Sequence, residues 1–378
     1  MMRRRLTTAV LLAATLATVT AVPAAAAASG APDEGQDGVQ RQLDLLVERD
    51  GMPGALAFTG STTYTAGTAE LGSGQPMTGA EGRVRIASNT KSFTATAVMR
   101  LVTEGRLRLD ETAARHVPQL AGSPVTVRQL LMQTSGLPDY VGLMDWTATG
   151  STPEEHLALS LAQEQVFEPG TDWGYSNTNY LVLGMIINRV TGEDFRTYIE
   201  ETILRPLDLD DTYWPEAGEL ALRGPHAHNY GINPADPEAG VTDVTELPGY
   251  EFGAAGGLVS TPGDLNTFWN ALFGGELLPR WAVWLMTHDT TDVGNRGLYP
   301  AGSRYGYGLT GHELSCGGMY WGHGGDLPGG SVVGGHASGH ASGHRGTVTV
   351  YTTTQATEEA TRARLNGAAD AALCSTDG

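Results

Sequence analysis

The chain has 378 residues, of which 40 % are hydrophobic and 17 % charged, with 51 glycines and a formal charge of −19. That length can bury one large core or two, and the acidity excludes the basic footprint of a nucleic-acid binder or of a protein held on an anionic membrane surface. Two cysteines, and one lysine (Lys91) among 23 basic residues, are the counts that bear most on chemistry.

Met1-Met2-Arg3-Arg4-Arg5, an apolar stretch from Leu6 to Val22 and small residues through Ala28 have the layout of a secretory signal. The sequence therefore predicts a signal peptide over 1–28 and a secreted, extracellular mature chain. No later window holds the run of about 18 apolar residues that a membrane span requires. After a short polar lead, Val39–Arg49 reads as a helix. Residues 54–72 read as a hairpin of strands, and Val84-Arg85-Ile86 as a short strand.

Ser88–Glu104 contains neither Pro nor Gly, and its apolar residues Phe93, Ala97, Val98, Leu101 and Val102 recur with a period near 3.6. This is a helix with Ser88 at its start and Gly105 where a C-cap belongs. The stretch 106–250 is a chain of helical pieces and loops, clearest at Tyr180–Val190 and closed by Gly192. Residues 224–257 read as loop. Thr261-Pro262 opens a helix over Asp264–Phe273. Strands return at Tyr305–Leu309, Gly318–Trp321, Ser331–Val333 and Thr347–Thr352, and a last helix covers 356–373. His336, His340 and His344 sit in a Gly/Ser-spaced repeat between two of these strands. It reads as a hairpin loop too poorly organised for a metal. Strands and helices at both ends, about 36–105 and 255–378, around a helical middle over about 106–254 suggest one α/β layer with a helical insertion. In an exported chain the isolated pair Cys316 and Cys374 is most simply a disulfide.

Three short segments carry chemistry. Ser88-Asn89-Thr90-Lys91 places a hydroxyl and an amine three residues apart on one side of a helix. A serine hydroxyl needs a base beside it. A partly desolvated Lys can be that base, whereas Arg cannot lose its proton. Tyr175-Ser176-Asn177 precedes the helix expected near Thr178. A Tyr hydroxyl beside a cation can have its pKa lowered and shuttle a proton, and the Asn amide can hold a substrate carbonyl. Trp321-Gly322-His323-Gly324-Gly325-Asp326 lies on a strand, where small residues around His323 leave room for a substrate backbone against the strand edge.

In this order and on either side of a helical insertion, the three segments resemble those of the penicillin-recognising serine hydrolases. These comprise class C β-lactamases, serine D-Ala-D-Ala carboxypeptidases, and related D-aminopeptidases and esterases. Supporting stretches are similar too: 126–137, Pro206-Leu207-Asp208-Leu209, 257–261 and Tyr305-Gly306-Tyr307-Gly308. The resemblance implies an acyl-enzyme on Ser88, with Lys91 and Tyr175 sharing the proton as general base. His323 would stand where many relatives carry a Lys, and Asn177 would orient the acyl side chain. Gly324, Gly325 and Asp326 would line the substrate site, with the backbone N–H groups of Ser88 and Asp326 as the oxyanion hole. It also implies an α/β fold with an antiparallel β-sheet flanked by helices and an inserted all-helical subdomain, the Cys316–Cys374 disulfide, no cofactor, no metal, and a monomer acting on a small-molecule or peptide substrate.

Two features depart from the carboxypeptidase pattern. Asp326 follows His323-Gly324-Gly325, where that branch has a hydroxyl residue. No Arg occurs in Leu309-Thr310-Gly311-His312-Glu313, where that branch binds a terminal carboxylate; Arg304 and Arg345 are the substitutes nearby. An Asp326 in the cleft would repel a carboxylate and suit a free amine, a neutral ester or an amide. The reading is thus a secreted serine hydrolase of D-amino-acid-containing peptides or β-lactams. The alternative within the family is a D-aminopeptidase or small ester/amide hydrolase. The alternative of another class is a non-catalytic penicillin- or peptide-binding protein. No Gly-x-Ser-x-Gly elbow, His-Glu-x-x-His or phosphate loop is present to support a different chemistry.

Overall fold

In the computed structural model, residues 34–294, 299–338 and 346–375 are described, all within one compact unit, Asp33–Gly378. The signal-peptide region, His340, His344 and Arg345 lie outside the described residues. The chain opens with α1 (Glu34–Glu48), β1 (Gly54–Phe58), β2 (Thr63–Gly67), β3 (Val84–Arg85) and α2 (Thr90–Thr103). The middle contributes α3 (Val127–Leu131), α4 (Pro153–Leu161), α5 (Asn177–Thr191), α6 (Phe195–Ile199), β4 (Tyr230–Ile232), β5 (Val241–Asp243) and α7 (Gly253–Gly256). The remainder is β6 (Val259–Ser260), α8 (Pro262–Gly274), α9 (Arg280–His288), β7 (Thr291–Asp292), β8 (Arg304–Tyr305), β9 (Thr310–Glu313), β10 (Met319–Leu327), β11 (Gly330–Ser338), β12 (Thr347–Thr352) and α10 (Glu359–Cys374).

Eight strands form one sheet in the order β2-β1-β12-β11-β10-β9-β8-β7, with every pairing antiparallel. Alternation along β12 shows how the faces divide. Val348 and Val350 point into a core with Leu43 and Leu46 of α1 and Leu365 and Ala369 of α10. Tyr351 points the other way, into the larger core with Phe93 and Phe268. The sheet is thus a middle layer between α1/α10 and the rest of the helices. In α2, Thr90 through Met99 are all buried, and Phe93 stacks on Phe268 of α8 with ring centroids 3.7 Å apart. A helix covered on all sides is a rigid mount for whatever it carries.

Local chemistry explains the boundaries. Thr126, Thr152, Asp194 and Thr261 cap α3, α4, α6 and α8 with their side chains, and Gly192 and Gly275 end α5 and α8 in the left-handed conformation. Cys316 and Cys374 are bonded, tying the β9–β10 turn to the end of α10.

Four expectations change. The strand expected over Tyr305–Leu309 is a hairpin, with Tyr305 paired to Thr310 and a turn at 306–309. Gly308, at φ +67°, presses on α2, where a Cβ would lie 2.5 Å from that of Ala95 and 3.0 Å from the Lys91 carbonyl. Alternating aromatics and glycines imitate a strand period while the glycines serve a close approach. The loop expected over 224–257 contains the β4–β5 hairpin and α7. Ser88 lies not in α2 but in a 3₁₀ turn, Ala87–Asn89, leading into it. His336 is in β11, buried and stacked on Phe273 with centroids 4.8 Å apart, so it belongs to the packed strand rather than to a loop.

Candidate active site

The 3₁₀ turn presents Ser88 half-buried at the floor of a cavity of about 330 Å³. Ala87, just before it, has φ +47°, a left-handed conformation that a non-glycine residue adopts only when its surroundings hold it there. Gly325 of β10 supplies part of that hold. A Cβ there would lie 2.3 Å from the Ile86 carbonyl oxygen and 3.0 Å from the Ala87 Cβ, so the strand packs directly on the turn.

Lys91 is fully buried one turn further on. Its Nζ lies 2.9 Å from Ser88 Oγ, 2.7 Å from Asn177 Oδ1 and 2.7 Å from the Ala255 carbonyl. Burial lowers its pKa to about 7 from an ordinary 10.5, with the Asp139 carboxylate pulling the other way. A neutral amine has two N–H groups, and the two carbonyl-type oxygens accept both. The remaining lone pair faces the Ser88 hydroxyl.

Asn177 is oriented by a residue the sequence reading missed. Its Nδ2 donates to Asp139 Oδ2 at 2.9 Å and its backbone N–H to Asp139 Oδ1 at 3.2 Å. A carboxylate can only accept, so the amide oxygen must face Lys91. The amide expected to hold a substrate carbonyl is therefore engaged at both ends, by Lys91 through its oxygen and by Asp139 through its nitrogen. Asp139 follows directly on the Ser135-Gly136-Leu137-Pro138 stretch, and nothing but that neighbourhood marks it in the sequence.

Tyr175 reaches Ser88 by a side-chain hydrogen bond, and the Lys91 Nζ is 4.8 Å from its ring centroid. The expected lowering of its pKa is overturned. Burial raises it well above 10, Tyr299 and Tyr305 add to the rise, and the Ser88 hydrogen bond only partly opposes it. The phenol thus stays protonated through the pH range near 7 in which the amine gives up its proton.

His323 is buried on the face of β10 turned toward Ser88, and its pKa is lowered to about 3, by burial first and then by the charge of Lys91. Its Nδ1 faces the Gly324 carbonyl, so the ring proton sits there and Nε2 accepts from the Tyr305 hydroxyl at 3.2 Å. The hydroxyl His323 meets is therefore that of Tyr305. The ring centroids of Tyr175 and His323 are 6.3 Å apart.

β9 pairs with β10 only as far as Gly322, so among the described residues His323–Leu327 has no strand partner on that edge. The cavity wraps around this edge. Ser88, Tyr175, Asn177 and His323 line one side, with Val141, Trp146 and Phe252 forming an apolar wall. Gly324, Asp326, Arg362 and Asn366 line the other. A Cβ at Gly324 would meet nothing within 4 Å. Asp326 does enter the cleft, but not as a lone charge. Arg362 Nη2 donates to its Oδ1 at 3.0 Å, and Ser331 Oγ donates to the same atom at 2.5 Å. Arg304, the possible substitute on β8, is exposed and absent from the lining. Sequence gave no sign of Arg362, which reaches the site from a helix on the far face of the sheet. Among the described residues no cluster of three or more His, Cys, Asp or Glu is arranged to hold a metal.

The family described as Beta-lactamase matches residues 39–373. A D-stereospecific amidohydrolase from Streptomyces sp. is 33 % identical with a TM-score of 0.73, covering 84 % of this chain and 94 % of that one. The D-amino acid amidase from Ochrobactrum anthropi SV3, solved with L-phenylalanine amide, is 28 % identical with a TM-score of 0.75, covering 89 % and 98 %. The curated protein flp of Staphylococcus aureus (strain COL) is 30 % identical over 188 residues, 46 % of this chain and 38 % of its own length. The matched region thus spans well under half of that relative.

Proposed function

Because the chain belongs to the beta-lactamase family of serine hydrolases, we propose that it hydrolyses D-amino-acid amides and D-peptides through an acyl-enzyme on Ser88. The observation that carries this reading is the buried Lys91 amine 2.9 Å from Ser88 Oγ, held near neutrality by burial. Ser88 Oγ bonds to the substrate carbonyl carbon while its proton passes to Lys91 Nζ. The backbone N–H groups of Ser88 and Asp326 receive the developing oxyanion. Collapse breaks the C–N bond, and the proton moves to the departing amine with Tyr175 as a neutral relay. Water then adds to the acyl carbon, Ser88 leaves, and its oxygen regains a proton.

Val141, Trp146 and Phe252 suit an apolar acyl side chain, and the amide preference is supported by the two amidohydrolase neighbours. Export belongs to the proposal as well. The disulfide supports an oxidising compartment, and no helix among the described residues is long and apolar enough to cross a membrane.

The test is ammonia release from D- and L-phenylalaninamide by the wild-type chain and Ser88→Ala. The reading expects turnover of the D form at least tenfold above the L form, and none from the variant. Equal rates for the two enantiomers, no release from either, or wild-type rates in Ser88→Ala would overturn it.

A further inference from the structure

Asp326 and Arg362 are the only Asp, Glu, Lys or Arg residues lining the cavity among the described residues. They face it from two different elements, β10 and α10, yet they are paired with each other. Arg362 Nη2 divides its hydrogens between Asp326 Oδ1 at 3.0 Å and the Ala356 carbonyl at 2.6 Å. The two side chains keep 25 % and 32 % of their surface exposed, so both charges are felt in the cavity. Gly324, two residues before Asp326 on the same face of the strand, leaves open space beside them.

A guanidinium at this place is a ready receptor for a carboxylate. A carboxylate held against it cancels that attraction and repels any second carboxylate at short range. The cavity is then close to electroneutral, which favours a substrate that ends in an amide over one that ends in an acid.

We propose that Asp326 is a specificity-determining residue which masks Arg362 and so directs the site to neutral-ended amides rather than carboxylate-terminated peptides. The proposal rests on the acyl-enzyme reading of the same cavity, since it names which substrates that cavity accepts. Removing the charge of Asp326 while keeping its shape should leave the charge of Arg362 uncompensated. Asp326→Asn still offers an oxygen to Ser331 and to Arg362, so the strand and the turn keep their contacts.

The experiment measures dissociation constants by calorimetry, in a Ser88→Ala background, for N-acetyl-D-phenylalanine and for its carboxamide. The added substitutions are Asp326→Asn, Arg362→Gln and both together. We expect Asp326→Asn to tighten the carboxylate ligand at least tenfold relative to the carboxamide. We expect the double variant to return the ratio to within threefold of its starting value. An unchanged ratio in Asp326→Asn, or a gain that persists without Arg362, overturns the proposal. Turnover surviving in Ser88→Ala would instead overturn the acyl-enzyme reading, while the binding ratio would still report on the pair.

Discussion

The proposed role of Lys91 as base rests on three things that coincide at one nitrogen. Burial lowers its pKa to about 7, two acceptors take its N–H groups, and Ser88 Oγ is 2.9 Å away. Lys91→Arg should therefore lower the acylation rate by about 10²–10⁴, since Arg keeps its proton, and stopped-flow acylation with an ester checks it. The sign of the pH dependence follows as well. The base must be unprotonated, so kcat/KM for a neutral ester should rise as pH increases through about 7. His323, lowered to about 3, adds no limb in this window, and the raised Tyr175 adds none below pH 10. A fall in activity on going from pH 6 to 8 would contradict the assignment. Asp139 raises the Lys91 pKa, so Asp139→Asn should move the rising limb to lower pH. It should also cost about tenfold in kcat/KM through the loosened Asn177.

At the scale of elements, what holds Ser88 is the contact between the 3₁₀ turn and β10. Gly325→Ala would drive a Cβ to 2.3 Å from the Ile86 carbonyl. Overpacking of this kind destabilises by about 1–3 kcal/mol, and here it also displaces Ser88, the proposed nucleophile. Thermal unfolding and ester kinetics on the one variant should show a modest drop in melting temperature with a much larger loss of rate. Equal activity to wild type would show that the turn is held elsewhere. The same elements show what was legible in the sequence. The helix carrying Lys91 stood out from its 3.6-residue period, and α5 and α8 from their glycine and threonine caps. Tyr305–Leu309 did not, because a Tyr-Gly-Tyr-Gly run has the alternation of a strand while Gly308 is there for its closeness to α2. Asp139 and Arg362 did not either. Each acts on a residue distant in sequence, Asp139 on Asn177 and Arg362 on Asp326, and local pattern carries no trace of such pairings.

On the scale of the whole molecule, the sheet separates two helical layers, and the site lies where β10 runs on past its neighbour β9. The disulfide closes the layer formed by α10 against the β9–β10 turn across a sequence separation of 58. Replacing both cysteines by alanine should lower stability by about 4 kcal/mol on the chain-entropy account, read by urea unfolding; a change below 1 kcal/mol would mean that packing of α1 on α10 alone fixes that layer. The fold brings the Ser88 hydroxyl, the Lys91 amine and the Tyr175 phenol together at one cavity, and the central proposal is that Ser88 is acylated there. The most direct measurement of that claim is intact-protein mass after rapid quench with D-phenylalanine methyl ester, followed by peptide mapping. The predicted result is one phenylalanyl group, carried by the peptide that contains Ser88, formed more slowly in Lys91→Arg and absent in Ser88→Ala. An adduct on another residue, or ester turnover that continues undiminished in Ser88→Ala, would contradict it.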